Sequence, residues 1–196
     1  MTYRKIFCFC IFIALTIISC SSRRPLTRDL INEYNLNEAG LKKIQCYLSD
    51  HLRLEREVAN VDKNIEPSHS LLRVEDRFID QINFKKNTPC IITRVDADKL
   101  YVAFEKNDNL LFQLVKRHSK GNVYCYIPDD NSSNVHYPDR LKESAWYSPI
   151  GMENYMGKDY FALMKRNLPY LMVDEKSLKN LEIEKRNVDG MRLSDQ

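Results

Sequence analysis

The chain has 196 residues, with 30 basic against 27 acidic side chains, which is enough for one ordinary domain. A formal charge of +3 without a basic run excludes the strongly positive face that a nucleic-acid binder needs. Five glycines leave little room for phosphate-cradling loops, and no P-loop, GxGxxG or GxSxG motif occurs.

The first residues read as an export signal. Arg4 and Lys5 precede an apolar run of 13 residues, Ile6 to Ile18. That run is too short to cross a bilayer core, which takes roughly 20 residues, but it suits a signal-peptide core. Ile17-Ile18-Ser19-Cys20 then matches a lipobox: aliphatic, variable, small, cysteine. In signals of that kind the thiol is acylated and the chain is cut just before it. The sequence therefore predicts removal of residues 1–19 and a lipidated Cys20 as the new N-terminus, held to membrane lipid. The mature chain would carry 28 basic and 27 acidic residues, because Arg4 and Lys5 leave with the signal. Residues 20–28 are expected to be a lipidated tether, whose Arg23, Arg24 and Arg28 could each gain about 1 kcal/mol near an anionic surface. Ser-Ser-Arg-Arg after Cys20, where cell-surface export resembles a rule requiring acidic residues, points to an outer-membrane protein facing the periplasm.

Residues 29–173 are expected to form a helix followed by a β-domain. Leu30, Ile31 and Tyr34 suggest a short helical turn. In "NLNEAGLKKIQCYLSD", Asn37 can cap a helix whose apolar face would carry Leu41, Ile44, Tyr47 and Leu48. From Leu52 the period changes to two, as in a half-buried strand. "SLLRVED", "FIDQINF" and "KKNTPCIITRV" continue as strands, with Asn87-Thr88-Pro89 as a turn. "LYVAFE", "LLFQLV" and "VYCYI" place Leu100/Val102/Phe104, Leu110/Phe112/Leu114 and Val123/Cys125/Ile127 on single faces, with polar hairpin loops between the first pairs. Tyr160–Met164 and Tyr170–Val173 are expected to pair as neighbouring strands around Asn167-Leu168-Pro169. Residues 174–196 read as a hairpin, signalled by Asp189-Gly190, or as a flexible tail. The expected fold is mainly β: an N-terminal helix, then an antiparallel meander forming a small barrel or sandwich.

Few residues point to chemistry. His51, His69, His118 and His136 are scattered without metal-ligand spacing, and neither metal nor cofactor is expected. A nucleophile at Cys90 or Cys125 with His118 or His136 as base is conceivable, yet each cysteine alternates with apolar strand neighbours. Cys46, Cys90 and Cys125 are expected to be buried and structural, with room for one disulfide. Asp129-Asp130-Asn131 reads as a polar turn rather than a calcium loop. No enzymatic activity is expected.

The aromatic band is the functional candidate. Tyr124 and Tyr126 alternate opposite Val123, Cys125 and Ile127, so one set should point away from the main core; Tyr137, Trp146, Tyr147 and Tyr155 follow. Such side chains bury large area at low entropy cost, and Tyr124, Tyr126, Tyr137, Trp146 and Tyr147 form a candidate protein interface. The same face could instead bind a glycan or another nutrient, and interstrand packing would account for several of the rings.

The order of lipobox, "SSRRP", "LKKIQCYLSD", "LRLERE", "KKNTPCIITRV" and "LYVAFE" resembles small envelope lipoproteins of the Bacteroidota. The family it is most similar to is TssQ, the lipoprotein associated with type VI secretion systems of that phylum. That resemblance implies a non-enzymatic part of a trans-envelope complex, docking periplasmic proteins beside a membrane. Where the family carries "KGTPG", this chain has Lys86-Asn87-Thr88-Pro89-Cys90.

Overall fold

The computed structural model describes residues 22–58, 69–74, 77–117, 121–132 and 134–183. The signal, Cys20, His118 and Asp189-Gly190 lie outside the described residues. In chain order the elements are β1 (Arg23–Pro25), α1 (Arg28–Glu33), α2 (Glu38–Lys43), β2 (Gln45–Leu48), β3 (Leu52–Val58), β4 (His69–Val74), β5 (Arg77–Phe84) and β6 (Pro89–Asp96). There follow β7 (Lys99–Ala103), β8 (Leu110–Arg117), β9 (Gly121–Tyr126), α3 (Asp139–Lys142), β10 (Ser148–Tyr155), β11 (Lys158–Met164), β12 (Leu171–Asp174) and α4 (Glu175–Ile183).

The strands form two antiparallel sheets, ordered β1-β12-β2-β6-β7-β8-β9 and β10-β11-β3-β5-β4. The mainly β meander read from the sequence is therefore the fold. The larger sheet curls until β9 approaches β1 and β12. Single bridges, Thr27 to Val123 and Cys125 to Tyr170, cross that seam without a ladder, so the sheet is not a closed barrel. A run of aromatic rings from both sheets crosses a core otherwise made mainly of aliphatic side chains. Phe84 meets Phe104 at 4.9 Å and Tyr155 at 5.7 Å, and Phe112 meets Tyr126 edge-on at 5.9 Å. Such contacts add about 0.5–1.5 kcal/mol per pair beyond burial.

The first two helices start on side-chain caps, Asn37 as the sequence suggested and Thr27 without any such expectation. Thr27 Oγ1 accepts from Leu30 N–H at 3.0 Å, and Asn37 Oδ1 accepts from Gly40 N–H at 2.8 Å. The second helix ends at Lys43, earlier than its apolar spacing suggested. Ile44, Cys46 and Leu48 also alternate at period two, and all three are buried. Cross-strand bonding to β6 and β12 on either side decides for the strand, which places Tyr47 and Leu48 on β2 rather than on a helix.

Of the stretch expected to be a tether, the described part is built into the fold. Arg23–Pro25 pairs with β12, and Leu26 is fully buried. Arg23 stacks its guanidinium 3.7 Å from the centre of the Tyr47 ring, Arg24 lies 3.8 Å from Glu175, and Arg28 bonds Asp98. A three-residue edge strand is too short to announce itself by alternation.

The expected pairing of Tyr160–Met164 with Tyr170–Val173 does not occur. β11 pairs with β10 and β3, whereas β12 pairs with β1 and β2. The chain changes sheet four times, after β2, β5, β9 and β11, so β11 and β12 belong to different sheets. Ser49 and Tyr170 tie the first and last of these corners together. Ser49 N–H donates to Tyr170 O at 2.9 Å, and Tyr170 N–H donates to Ser49 Oγ at 2.8 Å. Beyond Val173, where a hairpin or tail was expected, Glu175–Ile183 is helical and buries Leu178.

Candidate docking surface

The five aromatic residues divide into two groups. Tyr124 and Tyr126 belong to the core, with exposures of 2% and 0%. Both faces of β9 are covered: the tyrosines pack inward with Phe112, while Val123 and Cys125 are also buried where Thr27 and Tyr170 bridge to the strand. Period-two alternation marks two faces but cannot reveal that both are covered. These two tyrosines are removed from the candidate interface.

Tyr137, Trp146 and Tyr147 lie together on a segment against the outer face of the smaller sheet. Tyr137 packs against Phe161 at 5.7 Å, and the Tyr147 ring receives the Arg53 guanidinium at 3.9 Å. Between them α3 buries Leu141 and sends Arg140 onto Glu55, which is itself only 3% exposed. Gln81 Nε2 donates to the second oxygen of Glu55 at 2.7 Å, and Arg53 Nε donates to Asn83 at 2.8 Å. Register places Phe161 opposite Glu55, and Gln81 opposite Glu55 from the other side, so one polar face of the sheet anchors the whole segment. Trp146 stands out from this support, 72% exposed. Ser144 Oγ accepts from Tyr147 N–H at 3.2 Å and steadies the turn below it.

A second feature was missed by the sequence reading. Beside β6 and β7 a shallow groove of about 530 Å³ is lined by residues that include Pro89, Ile91, Phe104, Gln45, Glu105 and Asp108. Ile91 is 50% exposed. The signal was present in "PCIITRV": with Cys90 and Ile92 facing in, Ile91 must face out. None of the five aromatic candidates lines this groove.

Ionisable groups inside the fold are held by partners. Tyr126 OH donates to Glu153 Oε2 at 2.7 Å, and burial pushes that carboxyl up to about 8, with the Asp129 charge adding to the rise. Asp80 accepts from Arg56 Nε and from Tyr160 OH, each at 2.9 Å; burial, then the bond to Asp80, pushes the Tyr160 hydroxyl up to about 12. The Cys46 and Cys90 thiols are likewise raised by burial, which keeps them protonated and poorly nucleophilic. His136, one of the two bases considered for Cys90 or Cys125, is exposed. Asp130 closes a local turn, accepting from Ser132 N–H at 2.9 Å, as a polar turn should. Among the described residues no group of three metal-binding side chains converges.

No protein-family model, no curated protein and no solved structure matches this chain.

Proposed function

We propose that this chain is a lipid-anchored, non-enzymatic envelope protein whose β-domain docks other envelope proteins during assembly of a membrane-associated complex. The lipobox at Cys20 supports the anchor. Only Ser21 and Ser22 separate it from β1, so the acyl chains would hold the domain within roughly 10 Å of the lipid, given about 3.3 Å per extended residue. Confinement to a plane raises effective concentration towards neighbours without a tight interface.

Trp146 carries the docking reading. A large ring 72% exposed, on a segment fixed by a buried ion pair, has the anchoring chemistry of an interface centre. Burial of Tyr124 and Tyr126 takes two rings away from the aromatic face that a glycan platform would need, which favours docking over glycan capture. The resemblance noted above makes a type VI secretion trans-envelope assembly the partner to test first, from the periplasmic side of the outer membrane. The experiment is co-purification from cross-linked membranes. Trp146→Ala should lose the partner while melting within about 2 °C of the parent, since surface truncations usually stay within about 0.5 kcal/mol. Unchanged co-purification would remove Trp146 from the interface.

A further inference from the structure

We propose that Cys46 and Cys90 are a disulfide site, closed by dithiol–disulfide exchange where the chain meets an oxidising compartment. The two residues sit directly opposite each other in the β2–β6 ladder, between the Gln45–Ile91 and Tyr47–Pro89 pairs. Opposed residues of an antiparallel ladder have Cα atoms about 4.5–5.5 Å apart, inside the range of roughly 4.4–6.8 Å that a disulfide spans. Both side chains face the same core, at 0% and 3% exposure. Gln45 clamps the pair from the backbone side: its Nε2 donates to Cys46 O at 3.0 Å and to Cys90 O at 2.8 Å. Joining the sulfurs adds no atoms to a packed interior, so the core needs no new space. Cys125 sits elsewhere, on β9, with Gln113 and Tyr170 as its register partners.

The step consumes a disulfide acceptor of low molecular weight or on an oxidoreductase. A thiolate from one cysteine attacks the acceptor, the second cysteine resolves the mixed disulfide, and two acceptor thiols leave with the two electrons and two protons. Burial holds both thiols protonated once the sheet has formed, so closure belongs to the period when β2 and β6 are still coming together, and the finished bond is shielded from reduction.

The expectation of an oxidising compartment rests on the export part of the proposed function, and peptide mapping keeps the two apart. The native protein is quenched in acid, alkylated under denaturing conditions and digested without reductant. The expected result is a peptide pair linked through Cys46 and Cys90, with Cys125 alkylated. A chain cut before Cys20 but alkylated at both Cys46 and Cys90 overturns the disulfide and leaves export standing. A chain that keeps residues 1–19 overturns export instead; refolding the purified chain in oxidised glutathione then decides, and failure to form the same linkage overturns the site. Reductant should lower the melting temperature of the linked protein by about 5–10 °C and leave Cys90→Ser unmoved.

Discussion

Tyr126 on β9 and Glu153 on β10 meet inside the protein, hydroxyl to carboxyl oxygen at 2.7 Å, joining the end of the larger sheet to the smaller one. Unfolded, Glu153 gives up its proton near 4.5; folded, it keeps it to about 8 because burial disfavours the anion. Between those two values the native state binds more protons than the unfolded state. Its stability therefore falls as pH rises through that window and is level outside it, a change on the order of a few kcal/mol. Glu153→Gln keeps an acceptor for Tyr126 and cannot ionise. Thermal melts at about pH 5 and about pH 8.5 should show the variant gaining several degrees over the parent at the higher pH and little at the lower. An equal offset at both would show that Glu153 does not titrate in this window.

Gly151 makes the neighbouring register shift in β10 achievable. Its φ is +153°, and a Cβ there would lie 2.4 Å from both Asp130 O and Pro128 Cγ. Asp130 and Met152 exchange backbone bonds across that contact, at 3.0 and 2.7 Å. Gly151→Ala should cost about 2–3 kcal/mol in urea unfolding, combining a strained backbone with a clash that only backbone movement relieves. Gly157, with open space around its would-be Cβ, should cost less despite its own φ of +70°.

Arg140→Ala should both destabilise the fold and free the Trp146 segment. Removing the guanidinium leaves buried Glu55 with Gln81 and with Arg53 at 4.0 Å. A buried charge stripped of its main partner costs about 3 kcal/mol. Limited proteolysis should then cut within residues 138–147 well before the rest of the domain unfolds. Pairing Arg140→Met with Glu55→Gln removes both charges and should recover most of the loss. If the double variant is as unstable as Arg140→Ala, the ion pair is not what holds the segment.

The strands that alternate cleanly were legible: Leu100 and Val102, or Leu110 and Phe112, are buried as their spacing required. What escaped the sequence depended on contacts distant in the chain. Ile44, Cys46 and Leu48 fit either period, and only the ladders to β6 and β12 select the strand. The pairing of β11 with β3 follows from the Ser49–Tyr170 corners, which no local turn signal marks. At the candidate surface, Trp146 was singled out by residue type, but Arg140 and Glu55 were invisible because charges 85 residues apart carry no periodicity. Tyr124 and Tyr126 were misplaced because covering both faces of β9 takes segments far away in sequence.

With an ordered strand beginning at Arg23, the proposed anchor makes height above the membrane a testable variable. Ser22 O accepts from Glu175 N–H at 3.2 Å, so the start of the sheet is tied to α4 as well as to β12. Ten Gly/Ser residues inserted between Ser21 and Ser22 leave that bond and the lipobox intact, and add a flexible reach of roughly 15–20 Å. Lipidation and melting temperature should not change, whereas cross-linking to the docked partner should fall several-fold as effective concentration drops. Unaltered cross-linking would mean that the partner does not require a domain held close to the lipid.

Intact mass and N-terminal peptide analysis of the protein extracted from native membranes tests the anchor most directly. The expected species begins at Cys20, lacks residues 1–19 and carries acyl chains on both the sulfur and the new amino group. A polypeptide that retains those residues, or one whose Cys20 thiol is unmodified, would contradict the anchored docking protein described here.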